Sequence, residues 1–276
     1  MMSDRDKEPN QAGEIEAKLI RYLDKTGYPI ELRVGGIFEK YGWRVNHNSY
    51  YVDEDEQKGR EIDIVAVSNT SSTQYRIAVC SSLICGIKKG TKYPWVIFST
   101  KRGTAEHEGW GRLHYAEGQV DSTLLPFEQI ERKSTTSQFA RIGRSYCEAY
   151  KSDDAKSAIF EALTAVVKAS EYWVKKNKES SSGFYRDSLG SRDITFVDPI
   201  IVLDGLLYEA YLDDDNHLQI EEKTHIPVSL GHISKAYGPG YLVEIVALNA
   251  LDQLISKKRE WIESIKESII AKLSGV

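Results

Sequence analysis

Asp63 stands between Ile62 and Ile64 in the strand-like run REIDIVAV. Aspartate is depleted in strands, so a carboxylate held there points to a site rather than to packing. Glu61 precedes it by two residues, on the same face of an extended chain. Lys88 and Lys89 follow an apolar strand-like run in GIKKGTKY, with Lys92 close behind, and these three ammonium groups could meet phosphate. A second cationic set, Gln138, Arg141 and Arg144, recurs at helical spacing and would line a phosphate-facing stripe. Plainer readings stay open for most of these groups. Solvated loops take lysines, and the acidic run Asp53 to Glu56 suits a wet hairpin turn.

The elements that position these groups can be read from periodicity. Ile15, Leu19, Tyr22 and Leu23 predict a helix stopped by Gly27, after a flexible leader over residues 1–12. Ile30, Val34, Ile37, Phe38 and Tyr41 predict a second helix, with Glu31 off its apolar stripe in a position that the helix dipole favours. WRVNHNSYYV and REIDIVAV then predict adjacent antiparallel strands, with Ile62, Ile64 and Ala66 on one face and Glu61, Asp63 and Val65 on the other. YRIAVCSSLIC and PWVIFSTK predict two further strands, joined by the lysine-bearing loop. Residues 101–125 have no clean period and read as a long connecting loop or insertion.

Helices are expected from Pro126, over TSQFARIGRSYCEAY, and from an N-cap at Ser152 to about Asn177. The core therefore spans 13–178, with a helical insertion, and a flexible connector covers 179–195. Residues 196–276 return to strands and a terminal helix from about Ala250 to Lys272 that complete the same domain.

Composition narrows the function classes. The 276 residues carry 36 Lys and Arg against 41 Asp and Glu, a net charge of -5, which excludes a partner that coats the whole surface with nucleic acid. Residues 81–150, however, hold ten basic and seven acidic groups, so a local basic region survives. Cys80, Cys85 and Cys147 lack paired spacing and read as reduced, largely buried thiols, and the six histidines form no zinc motif. Phosphate-binding glycine loops and a GxSxG elbow are absent from the sequence. With no apolar run of bilayer length and a polar, acidic N-terminus, a cytoplasmic protein with no membrane partner is expected.

The order of a glutamate-bearing helix PIELRVGGIFEKYGWRV, the strand GREIDIVAV, then YRIAVCSSL and PWVIFST resembles the PD-(D/E)XK, or restriction-endonuclease-like, nuclease superfamily over about 70 residues. The resemblance implies an α/β fold: a mixed central sheet flanked by helices, here with extra C-terminal strands and a long terminal helix. It also implies one or two Mg2+ ions held by a carboxylate on the first helix, an aspartate on the second strand and a Glu-x-Lys on the third. Carried over residue by residue, Glu31 and Asp63 match the first two. On the third strand Val79 falls where the glutamate belongs and Ser81 where the lysine belongs, so the element is degenerate. Glu61 as a metal ligand, and Lys88 or Lys89 as the lysine, are the available substitutes. The leading expectation is a catalytically impaired nuclease-like module that binds nucleic acid, DNA in preference to RNA, or a partner protein. An active Mg2+-dependent nuclease with relocated residues is the alternative, and a protein-binding scaffold is the third.

Overall fold

The computed structural model describes residues 8–89, 92–103, 113–118, 134–152, 157–184, 192–238 and 240–275. These form four α-helices and eleven strands in the order α1 (Glu8–Leu23), α2 (Tyr28–Lys40), β1 (Arg44–Asp53), β2 (Lys58–Ser72), β3 (Ile77–Lys89), β4 (Trp95–Lys101), β5 (Leu113–Gly118), β6 (Arg141–Glu148), α3 (Ala158–Phe184), β7 (Arg192–Asp204), β8 (Leu207–Leu212), β9 (Leu218–Glu222), β10 (His225–Leu230), β11 (Tyr241–Ala247) and α4 (Leu251–Leu273). All strands belong to one mixed sheet, ordered β1-β2-β3-β7-β11-β10-β6-β4-β8-β9, with β5 paired to β7 off that path. The α/β class is as the sequence implies, and the strands after residue 196 lie in the same sheet as those before residue 101.

Local sequence explains the elements nearest the acidic residues. Pro29 in the first turn of α2 presets its backbone, and Gly42 ends the approach to β1 at φ 75, a left-handed conformation that costs glycine little. Ile30, Val34 and Phe38 from α2 bury against Ile64, Ala66, Leu83 and Cys85 of the sheet and Leu251, Leu254 and Ile255 of α4. Farther along the same face Ile77, Val79 and Phe196 pack on Trp261, Ile262, Ile265 and Ile269. The opposite face takes α3, whose Ile159, Leu163, Val166 and Val167 meet Ile84, Val197, Ile201, Val243 and Ile245. Each such fully buried aliphatic side chain contributes about 1.5–3 kcal/mol, so the three layers are held from both sides of the sheet.

Several expectations give way to tertiary pairing. TSQFARIGRSYCEAY is not a helix: Arg141–Glu148 is strand β6, antiparallel to β4 and parallel to β10. Its arginine spacing suits a helix, but the segment gains more by filling a slot in the sheet. The strand PWVIFSTK does not neighbour β3, because β7 takes that place in parallel register from Ile77↔Arg192 to Lys89↔Asp204. Helix α1 begins at Glu8, inside the stretch expected as a leader, and residues 1–7 lie outside the described residues. Helix α3 starts at Ala158, with the Ser157 hydroxyl accepting the Phe160 N–H, rather than at Ser152, and it runs on to Phe184, so the 179–195 connector is part helix and part strand.

Ile62 lies in the α3-side core with Val65, on the opposite face from Ile64 and Ala66. The acidic hairpin turn is docked, because Lys168 of α3 binds Asp53 at 2.9 Å and Asp55 at 2.7 Å, while Lys175 binds Glu54. Cys147 is exposed. Strand β5 lies within the expected 101–125 loop, and the helix expected from Pro126 lies outside the described residues. Among the described residues no helix is long and apolar enough to cross a membrane.

Candidate functional site

Strands β2 and β3 pair antiparallel from Ser72↔Ile77 up to Ile64↔Cys85 and then part. Asp63 is the first residue beyond the last pair. Its Oδ2 reaches into the opening and accepts the Ile87 N–H at 2.5 Å, replacing the ladder bond that the parting strands no longer make. On the other side of β2, Asn48 of β1 holds φ 50, a left-handed conformation uncommon outside glycine, and the β1–β2 register carries no pair at that point. The backbone is thus irregular on both sides of Asp63.

Other charges gather at this fork. Burial raises the Glu31 carboxyl above its ordinary range, the charges of Asp63 and Glu61 push it the same way, and His47 opposes them. Burial likewise raises Asp63, against the Ile87 N–H and the Lys88 charge, with Glu61 adding to the rise. Asp63, Glu61 and His47 are therefore near enough to act on Glu31, and Lys88 and Glu61 near enough to act on Asp63. Among the described residues, no three His, Cys, Asp or Glu side chains stand close enough as placed to hold a metal ion.

The register relocates the third-strand positions. Continuing the antiparallel pairing sets Gly86 opposite Asp63 and brings Lys88, still within β3, two residues farther on. Val79 pairs instead with Thr70, seven residues from Asp63 and so about 23 Å along the strand at ~3.3 Å per residue. Val79 is buried beneath α4, and Ser81 is fully buried with its Oγ unbonded among the described residues, so neither belongs to the fork. Gly86 has no room for a side chain without adjustment, since a Cβ there would lie 3.0 Å from Val166 of α3. Lys89 turns away, donating to the carbonyls of Asp24 and, at 3.0 Å, of Thr26, and so ties the α1–α2 turn to the end of β3. Lys92 lies over the Tyr93 ring.

The expected arginine stripe is not assembled. Arg141 pairs with Glu209 at 3.1 Å and stacks 3.5 Å from the centre of the Tyr211 ring, and Arg144 donates to Thr100. Gln138 lies in the turn before β6 and donates to the Thr135 carbonyl.

His47 is a member of the fork that sequence reasoning passed over. Its ring fills the space that a Cβ on Gly35 would need, at 2.6 Å. The available signal was Gly35–Gly36 inside a helix, where glycine costs about 1 kcal/mol relative to alanine and so marks a close approach.

No protein-family model, curated protein or solved structure matches this chain.

Proposed function

We propose that this chain is a Mg2+-dependent phosphodiesterase acting on nucleic acid, with a restriction-endonuclease-like site whose third-strand carboxylate has been replaced. In this reading Glu31, Asp63 and Glu61 supply hard oxygen ligands, and Lys88 supplies the cation beside the nucleophile. The observation that carries it is the Asp63 carboxyl set on the Ile87 N–H where β2 and β3 part, with Glu31, Glu61 and Lys88 near enough for charge to be felt between them and it. Such a donor set fits a divalent cation in chemistry, because the ion offsets both the burial that chiefly raises Glu31 and Asp63 and the negative charge beside them. When bound, the metal supplies an activated water and neutralises phosphate charge. The chain's own contribution is to hold Asp63 through the Ile87 N–H and to keep Lys88 next to it.

The test is cleavage of labelled DNA and RNA with Mg2+ or Mn2+, comparing the parent protein with Asp63→Asn and Lys88→Ala. Metal-dependent cutting lost in both variants is the expected result. A parent that cuts nothing, or cutting untouched by Asp63→Asn, overturns the proposal.

A second reading rests on Gly86. With glycine opposite Asp63 and Val166 packed against it, the usual third-strand carboxylate has no side chain to come from. A module that binds nucleic acid without cutting it would then show salt-dependent affinity and no metal-dependent products.

A further inference from the structure

The sheet carries a second set of charges away from the fork. Lys258 of α4, only 1% exposed, binds Asp198 of β7 at 3.0 Å and Glu244 of β11 at 2.6 Å. Glu244 is also 2.9 Å from His225 Nε2 and accepts the Thr135 hydroxyl at 3.1 Å. Phe139 lies edge-on to the His225 ring at 4.7 Å between centroids. Two cavities of about 250 and 320 Å3 open beside this network. His225 and Phe139 line the first, Thr135 and Trp261 line the second, and Gln138 and Lys257 line both.

We infer that these neighbouring cavities, which share Gln138 and Lys257, bind a small phosphate ester of a heterocycle, such as a nucleoside 5′-monophosphate, with its phosphate on Lys257. Lys257 is half-buried and has no ion pair or side-chain hydrogen bond among the described residues, whereas Lys223, the other cation of the first cavity, is occupied by Glu221. A cation at a concave wall that makes no ion pair is matched by an anion from solution. Glu260, in the second lining, stays a carboxylate although Ser256 donates to it at 3.2 Å, whereas the first lining holds no acid, so the phosphate is placed where Lys257 borders the first cavity. Gln138 spends a side-chain N–H on the Thr135 carbonyl and keeps its own carbonyl as an acceptor, and Gln253 offers both an acceptor and donors. Amide groups of that kind read the N–H and carbonyl edges of a heterocycle, and Phe139 supplies an aromatic surface for the ring.

From Gln253 to Ser264 the lining follows α4 for about 16 Å, long enough for such a ligand. The site is separate from the fork. Asp252, beside Gln253, pairs with Lys40 at the far end of α2, and Glu31 lies nine residues back along that helix, about 14 Å away.

Calorimetric titration of the full chain without divalent metal, using 5′-AMP and inorganic phosphate as probes, tests this. The expected result is saturable AMP binding, weaker binding of phosphate alone, and a loss of at least ~10-fold in AMP affinity in Lys257→Ala, with Gln253→Ala also weakened. Asp63→Asn should bind AMP as the parent does, so failure here is distinguishable from failure of the nuclease proposal. Thermal melts matching the parent show that the two cavity variants are folded. No saturable binding, AMP affinity unchanged in folded Lys257→Ala, phosphate binding as tight as AMP, or AMP binding lost in Asp63→Asn would each overturn the inference.

Discussion

Glu244 is more deeply buried than either Asp63 or Glu31, yet its carboxyl is held far below the ordinary range, while theirs are raised. Burial pushes all three upward, so the difference lies in what surrounds them. At Glu244 the Lys258 charge and the His225 contact more than cancel the burial. At the fork, Asp63 and Glu31 face Glu61 and each other, with Lys88 and His47 as partial relief. One region has its counter-charge built into the chain. The other leaves charge unbalanced, which is costly for folding and useful for recruiting a cation.

Removing the built-in counter-charge should have the largest effect. Lys258→Met leaves Asp198 and Glu244 facing each other without the ammonium, and a loss of about 3–5 kcal/mol is expected in denaturant unfolding. A loss below ~1 kcal/mol would mean that the two carboxylates find other partners and that the contrast with the fork is false.

Asp63→Asn should act in the opposite direction. In metal-free buffer at neutral pH it is expected to raise stability in denaturant unfolding, because it removes a carboxylate whose ionised form the fold disfavours. In the parent, Mg2+ should raise the melting temperature, and in Asp63→Asn much of that rise should vanish.

The pH dependence separates the two regions by sign. Asp63 and Glu31 hold protons better folded than unfolded, so their contribution favours folding below the ordinary carboxylate range and is lost as pH rises through their raised values. Glu244 contributes fully above its ordinary value of 4.5 and loses that contribution as pH falls below it. Asp63→Asn should therefore flatten the loss on the rising side and leave the acid limb of the stability curve in place.

The smallest change is expected from Gly35→Ala. The added methyl displaces the His47 ring, which is exposed and free to rotate away, so stability should shift by less than ~1 kcal/mol. If His47 moderates the fork, metal-dependent cleavage in this variant should fall modestly, by a few-fold.

Asp63 was legible because aspartate inside a strand violates a local rule, whereas Glu31 sits where the helix dipole favours an acid and was picked out only through the order of elements around it. The third-strand partner was not legible. IAVCSSLICGI is apolar almost throughout and carries no alternation from which register can be read, so Val79 and Ser81 were each aligned seven residues short of Gly86 and Lys88. Lys88 was recognised as a charge but placed in a loop, since the apolar run gives no sign that the strand continues to Lys89. Arg141 and Arg144 were misplaced for a different reason, because a three-residue repeat is helical in isolation and only the β4 and β10 partners decide otherwise. The Lys258, Asp198, Glu244 and His225 set spans 60 positions of sequence on four elements, with no spacing to betray it.

The parallel pairing of β3 with β7 also sets a schedule for the chain as it is made. The β2–β3 hairpin, and with it the fork, can close from local sequence, but one edge of β3 stays without its native partner until β7 begins to be synthesised at Arg192, 103 residues after Lys89. At ~5–20 residues per second that interval is about 5–20 s, during which an apolar strand edge stands open to other chains. The sheet position that completes the centre of this molecule is therefore also the one that governs how long it can be trapped by aggregation before it folds.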